Sequence, residues 1–353
     1  MKKILAIALS LVLVMALAAT ASAAGLVGVA MPTQDLQRWN QDGANMKAQL
    51  EAAGFEVDLQ YANNDVATQV SQIENMILNE VQVLVVASID GSALGTVLAQ
   101  AKEAGIPVIA YDRLLTATEA VDYYTTFDNY KVGQIQGQYV IDTLDLANTD
   151  KTYTIEFTAG SPDDNNAGLF FAGAFDLLKP YLDSGKLVCV SGQTDFATVA
   201  TPAWKSETAQ ARMDNILSAY YPDALTGGQT LDICLCSNDS TALGVTNSLV
   251  AAGFTTENIP LITGQDCDKP NVKNMVKGLQ AMSVFKDTRT LAAETVKMCV
   301  AILNGETPEL NGEYDNGIKM VPSYNCTPVF GDVNNYEELL IESGYYKAEE
   351  IAE

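Results

Sequence analysis

Two kinds of hydrophobic pattern alternate along the chain. Short apolar runs without polar alternation stand at Gly25–Met31, Val81–Ala87 and Ile106–Tyr111. Each is preceded or followed by a longer stretch whose apolar residues recur every three or four positions. The first kind predicts strands buried on both faces, the second helices packed along one side. The first part of the chain then reads as strand Gly25–Met31, helix Asp35–Ala53 closed by Gly54, strand Phe55–Tyr61 and helix Val66–Leu78. Strand Val81–Ala87, helix Ser92–Ala104 closed by Gly105, and strand Ile106–Tyr111 follow. The rhythm resumes with strand Thr152–Thr158, helix Ala167–Leu182, strand Leu187–Ser191, helix Glu207–Tyr220 and strand Leu231–Ser237. Helix Thr241–Ala252, strand Ile259–Thr263, strand Gln280–Phe285 and helix Thr288–Leu303 complete it. Such alternation predicts an α/β protein whose parallel sheets are covered on both faces. About ten strands suit two sheets better than one. Tyr123–Asn129, where Tyr-Tyr-Thr-Thr-Phe interrupts the alternation, marks the seam.

Residues 1–24 break the pattern. Lys2 and Lys3 precede an apolar run, Ile4 to Ala19, interrupted only by Ser10, and Ala21-Ser22-Ala23 supplies small residues for cleavage before Ala24. A basic start, a run of this length and a small-residue end predict a secretory signal peptide and not a spanning helix. No Cys precedes Cys189, which argues against lipid attachment near the cut. The mature chain is expected to be exported and soluble, in the periplasm or at the exterior of the cell envelope.

Composition narrows the chemistry. With 353 residues, 48% hydrophobic and 18% charged, the chain is globular and long enough for two cores. Its 44 Asp and Glu against 20 Lys and Arg leave a net charge of −24, which excludes a nucleic-acid partner because phosphate neutralisation needs clustered cations. The absence of His removes His-based general bases, Ser-His-Asp triads and His-ligated metals. No glycine-rich phosphate loop follows any strand. No cofactor and no metal are expected. The six Cys include no CxxC pair, and Cys234 and Cys236, two apart on a strand, face the same side. Buried thiols are favoured, although export permits disulfides.

In open parallel sheets ligands bind beyond the carboxyl ends of the strands, so the residues that follow each strand are the candidates. Arg38 and Trp39 follow the first strand, and Asp112 and Arg113 follow Ile106–Tyr111. Gly160-Ser161-Pro162-Asp163-Asp164-Asn165-Asn166 follows Thr152–Thr158. Asn238 and Asp239 follow Leu231–Ser237, Gly264-Gln265-Asp266 follows Ile259–Thr263, and Lys286 and Asp287 follow Gln280–Phe285. This set suits a small polyol. Asp and Asn pair with hydroxyls, Arg and Lys donate to ring and hydroxyl oxygens, and the two Trp residues, Trp39 and Trp204, offer aromatic faces to sugar C–H groups. Taken singly, Asp163, Asp239 and Asp287 read as ordinary helix caps and Trp204 as packing. Their convergence at six strand ends favours a site.

These residues give the chain a resemblance to the bacterial periplasmic sugar-binding receptors of the D-xylose-binding and multiple-sugar-binding type. It is carried by Arg38-Trp39, Ser71 to Met76, Ala110-Tyr111-Asp112-Arg113, Phe127-Asp128-Asn129, Gly160 to Asn166 and Leu178-Lys179-Pro180-Tyr181. Ser184-Gly185-Lys186, Ser237-Asn238-Asp239, Gly264-Gln265-Asp266, Phe285-Lys286 and Val321-Pro322-Ser323 extend it over the mature chain. The resemblance implies the type I periplasmic binding protein fold: two Rossmann-like α/β lobes joined by a three-strand hinge and closing on one sugar. The crossovers would lie near Thr125–Asn129, Ser283–Lys286 and Val321–Tyr324, dividing the chain into 25–127 plus 286–321 and 128–285 plus 322–353. It implies ligand contacts at Arg38, Asp112, Arg113, Asp164, Asn166, Trp204, Asn238, Asp266 and Lys286, with Trp39 as an aromatic wall. Ser71 to Met76 would be structural.

The resemblance further implies a monomeric, non-enzymatic protein that binds a monosaccharide of the xylose, glucose, galactose or arabinose class and delivers it to the membrane permease of an ABC-type importer. A receptor feeding a chemoreceptor or sensor kinase shares the same site and stays open. A glycosidase using two carboxylates, such as Asp112 and Asp266, is disfavoured because neighbouring Arg and Lys would keep both ionised.

Overall fold

The structure is a computed structural model and describes residues 25–352; the signal-peptide expectation falls outside the described residues. In chain order the elements are β1 (Leu26–Met31), α1 (Gln37–Ala52), β2 (Glu56–Tyr61), α2 (Val66–Leu78), β3 (Val83–Val86), α3 (Gly95–Glu103), β4 (Val108–Tyr111), β5 (Tyr123–Phe127) and α4 (Asn129–Thr143). There follow β6 (Tyr153–Thr158), α5 (Asn165–Asp183), β7 (Leu187–Val188), α6 (Phe196–Val199), α7 (Ser206–Tyr220), β8 (Ile233–Cys236), α8 (Asp239–Ala251), β9 (Leu261–Ile262) and α9 (Lys269–Val276). The last are β10 (Met282–Phe285), α10 (Thr288–Leu303), β11 (Gly312–Asp315), β12 (Met320–Cys326), β13 (Val329–Asp332) and α11 (Ala348–Ile351).

One sheet has seven strands in the order β11-β12-β5-β4-β3-β1-β2, parallel except for the β11–β12 hairpin. Its unbroken apolar strands feed two cores. Val27, Val29, Met31, Val83, Val85, Ile109 and Tyr111 pack on one face, and Ala30, Leu84, Val86, Val108 and Ala110 on the other. That is why these runs show no polar alternation. The second sheet runs β7-β6-β8-β9 in parallel. A bridge between Gln265 and Val284 carries it on to the antiparallel pair β10–β13.

The chain passes between the sheets three times: between β5 and α4, between β10 and α10, and between β12 and β13. The third passage differs from expectation. Ser323 to Cys326 remain in register with Tyr124 to Phe127, so the chain leaves the first sheet after Cys326 and not at Val321–Tyr324. The cause is continued parallel pairing, which the Val321-Pro322-Ser323 motif does not disclose.

Helix α4 has no counterpart in the pattern reading, because it packs on α5 through small residues in place of a broad apolar stripe. A Cβ on Gly133 would meet the Phe170 carbonyl of α5. All six Cys are free thiols; Cys189 is half-buried and the others are buried. No helix among the described residues is long and apolar enough to cross a membrane.

Candidate functional site

The carboxyl ends of β1, β4, β6, β8, β9 and β10 face one small cavity between the two sheets. Its walls are held by ion pairs. Arg38, in the first turn of α1, reaches Asp42 at 2.9 Å on its own helix, Asp112 at 2.8 Å after β4 and Asp266 at 3.6 Å after β9. Arg113 pairs with Asp164 at 2.9 Å and donates to the Ser88 carbonyl at 3.0 Å. Lys286 pairs with Asp266 at 3.1 Å. Since Arg38 and Arg113 stand on the seven-stranded sheet and Asp164 and Asp266 on the other, two of these pairs cross the cleft, and the structure is a closed one.

Local backbone geometry aims the groups. Asp112, Trp204, Asp266 and Cys267 have φ of 60°, 58°, 94° and 52°, in the left-handed region that favours glycine. Such strain persists where surrounding bonds over-determine it. At Asp112 the carbonyl accepts from Tyr124 Oη at 2.6 Å, Thr126 Oγ1 at 2.9 Å and Asn166 Nδ2 at 2.7 Å. At Trp204 the ring lies over Gly160, where a Cβ would collide with the indole. Its Nε1 donates to Asp164 at 3.2 Å, and Ser240 donates to its carbonyl at 2.6 Å.

Electrostatics follow from these contacts. Burial alone would raise the Asp112 carboxyl, but Arg38, Lys286 and Arg113 outweigh it and hold Asp112 below the ordinary carboxylate range. Burial raises Asp164 despite Arg113. Burial would lower the Arg38 guanidinium, yet Asp112, Asp42 and Asp266 more than reverse this. Behind Arg38, burial lifts Asp42 to about 6, and this carboxyl accepts from the Tyr111 hydroxyl. Asp239 and Asp268 are both raised, first by burial. Asp239 accepts from Gln280 at 3.0 Å, Ser283 at 2.9 Å and the Asp268 amide at 2.8 Å.

Arg38, Trp39, Asp112, Arg113, Asp164, Trp204, Asn238, Asp266 and Lys286 all line the cavity. Asn166 does not. It lies behind the wall, joining the Asp112 carbonyl to Tyr124 Oη. The oxygen of Asn238 caps α8 by accepting from Thr241 N at 3.0 Å, which leaves its amide nitrogen available to a ligand. Trp39 is buried with the guanidinium carbons of Arg38 and Arg113 at 4.5 and 5.1 Å from its ring centre, and its Nε1 has no hydrogen-bond partner among the described residues. Phe170 and Phe127 flank the Lys286 ammonium at 5.2 and 5.9 Å.

Leu36, Phe170 and Asp268 also line the cavity and are not among the candidates; Gln265 lines it too and is not among the implied ligand contacts. Gln265 lay inside a quoted motif, whereas Phe170 faces the site from within a helix, where no strand-end rule points. Asp42 had a signal, its i+4 spacing from Arg38 on one helix. Ser71 to Met76 lie in α2, with Ile73 and Met76 in the core and none on the cavity. The set of groups, cations beside carboxylates with aromatic rings among them, can hold a neutral molecule with many hydroxyls.

Comparison with known proteins agrees with this geometry. The family model described as a periplasmic binding protein domain matches residues 27–307. The chain is 50% identical over 331 residues to the multiple sugar-binding periplasmic receptor ChvE of Rhizobium radiobacter, covering 93% of this chain and 92% of that protein. It is 36% identical over 325 residues to the D-xylose-binding periplasmic protein of Escherichia coli, covering 92% of each. Among solved structures, it is similar to an ABC transporter solute binding protein from Clostridium phytofermentans with bound β-D-glucose. The TM-score there is 0.89 and the identity 58%, covering 93% of this chain and all of that one.

Proposed function

The chain belongs to the periplasmic binding protein family, and from that premise we propose that it binds one monosaccharide between its lobes and hands it to an ABC-type importer. Members of this family are binding proteins and not enzymes. The observation that carries the reading is the lining of the cavity: three cations, each paired with a carboxylate, drawn from both sheets and set among aromatic rings.

In this reading Asp112, Asp266 and Asn238 take up sugar hydroxyls, Arg38, Arg113 and Lys286 donate to ring and hydroxyl oxygens, and Trp39 and Trp204 form the aromatic walls. Asn166 acts one step back, by fixing the Asp112 backbone. Bonds that a sugar makes to both lobes at once exist only in the closed state, and this difference in affinity drives closure. The protein works outside the cytoplasmic membrane, where the closed form meets the permease.

The test is a titration of the purified protein with D-glucose, D-xylose, D-galactose and L-arabinose, followed by calorimetry and Trp emission. Saturable heat at one site per chain is expected for at least one of them. No heat and no emission change across the whole panel would sink the reading. The delivery step is tested separately, by uptake of the labelled sugar in cells with and without the gene for this chain; equal uptake would refute it.

A further inference from the structure

We propose that Tyr346 is a positioning residue for ligand binding, which clamps the backbone beside Arg38 to the backbone beside Asp266 and so stabilises the closed cleft without touching the ligand. The proposal rests on the monosaccharide reading above.

The C-terminal segment belongs to the second lobe by packing. Leu340, Tyr346 and Ile351 share a core with Cys267, Val272, Met275 and Phe285. Tyr346 is 3% exposed, with Tyr345 edge-on at 4.8 Å and the Lys269 ammonium 5.3 Å from its ring centre. Its hydroxyl donates to the Cys267 carbonyl at 3.0 Å and accepts from Gln37 Nε2 at 2.6 Å. Gln37 uses its other end as well, since its Oε1 accepts from the Lys269 amide at 3.3 Å. One turn along α1, Gln41 Oε1 accepts from Tyr345 Oη at 3.1 Å. Gln37 directly precedes Arg38, and Cys267 directly follows Asp266. The phenol therefore ties together the two chain segments whose side chains form the 3.6 Å Arg38–Asp266 pair across the cleft.

The division of these bonds between states gives the clamp its effect. The bond from Tyr346 to Cys267 lies within one lobe and survives opening. It also holds the carbonyl of Cys267, a residue with left-handed φ of 52° that directly follows Asp266 at 94°, and so restrains the backbone on the far side of that pair. The bonds to Gln37 and Gln41 cross between lobes and exist only when the cleft is closed. A contact made in one state alone shifts the equilibrium by its full net value. None of Tyr345, Tyr346, Gln37 and Gln41 lines the sugar cavity.

The experiment compares wild type with Gln37→Ala, Tyr346→Phe and the double variant. Three quantities are read: the D-glucose Kd and dissociation rate, the thermal midpoint without sugar, and the closed fraction from a donor–acceptor dye pair with one dye on each lobe. Gln37→Ala is expected to weaken binding about fivefold through faster dissociation, with an unchanged sugar-free midpoint, because its two bonds across the cleft, to Tyr346 and from the Lys269 amide, are lost from the closed state alone. Tyr346→Phe is expected to weaken binding by a similar factor but with a lower sugar-free midpoint, because its bond within one lobe to the Cys267 carbonyl is lost as well, and the double variant is expected to lose less than the two singles added together, because they share the Gln37–Tyr346 bond. Both singles within twofold of wild type, additive losses, or a Kd loss matched by a lower sugar-free midpoint in Gln37→Ala would overturn the clamp. A wild type that takes no sugar would sink the ligand reading alone. The clamp is then still read from the dyes, and an unchanged closed fraction in Gln37→Ala refutes it.

Discussion

Asp266→Asn tests the charge logic of the cleft, since it removes one charge and keeps the size. In the closed structure the Asp266 carboxylate is the partner of Lys286 at 3.1 Å and of Arg38 at 3.6 Å, and all three side chains are less than a tenth exposed. Arg38 keeps Asp42 and Asp112 after the change. Lys286 keeps no ion pair among the described residues, only the rings of Phe127 and Phe170 at 5.9 and 5.2 Å and the longer-range field of Asp112, Asp164 and Asp268. An uncompensated buried charge costs about 3–5 kcal/mol, and a lost hydrogen bond to a charged group about 1.5–3 kcal/mol. In the open protein Lys286 is relieved by water, so most of the cost falls on closure and hence on binding. A loss of about 3 kcal/mol, or about two orders of magnitude in Kd, is expected by calorimetry with D-glucose, with little change in the sugar-free thermal midpoint. The double variant Asp266→Asn/Lys286→Met removes the stranded charge and places an apolar chain against the two rings. It is expected to recover about half of the loss, on the order of 1.5 kcal/mol. A Kd within threefold of wild type for folded Asp266→Asn, or a double variant no tighter than the single, would refute the argument.

Three further outcomes follow from the geometry. Gly160→Ala drives a Cβ into the Trp204 indole and should cost about 1–3 kcal/mol of stability. It should also shift Trp emission and weaken sugar binding at least tenfold; native emission with native Kd would show that the ring is not seated there. Burial raises the Asp42 carboxyl from 3.8 to about 6. The native state therefore holds a proton that the unfolded chain has released in this window, so stability from this group grows as pH falls from roughly 6 to 4, on the order of 3 kcal/mol in all. Asp42→Asn should flatten that part of a thermal-midpoint profile, and a superimposable profile would disprove it. Iodoacetamide should label Cys189 alone in the native protein and all six Cys once it is unfolded, because the other thiols are buried and raised by burial. Fewer than six labelled after unfolding without reductant would reveal a disulfide.

The parts of the molecule that could be read from sequence are those where a local pattern has a single physical cause. Doubly buried strands such as Val83–Val86 must be apolar without alternation, and α10 ends where the helix signal does. The strand-end rule then found the cavity wall, because in a parallel sheet the carboxyl ends are where backbone direction forces the chain to turn towards one side. What escaped has no such signature. Helix α4 packs through glycine, so it lacks an apolar stripe. The true third passage depends on how far β12 stays in register with β5, a matter of long-range pairing. Asn166, which the resemblance implies as a contact, stands behind the cavity wall, where its side-chain amide donates to the Asp112 carbonyl. Tyr345 and Tyr346 follow no strand and reach the site's edge only through tertiary packing of the chain's last segment.

The pairing of every cleft cation with a carboxylate also explains why the site suits a neutral ligand and not hydrolysis. A closing cleft loses water, and an unpaired cation or anion inside it would cost several kcal/mol. Arg38, Arg113 and Lys286 each bring their counter-charge, so closure strands none of these cations, and a sugar hydroxyl can insert as a further polar partner without needing charge of its own. A glycosidase needs one carboxylic acid that keeps a proton to give to the leaving oxygen. Asp164, raised by burial, is the group that would have to serve. Its oxygens already accept from the Trp204 N–H and the Asn166 backbone N–H and face the Arg113 guanidinium, contacts that favour the ionised form and oppose delivery of a proton. Asp112, held low by three cations, cannot donate either. The same donors that make the site a good receptor for hydroxyl groups deny it the acid that bond cleavage requires.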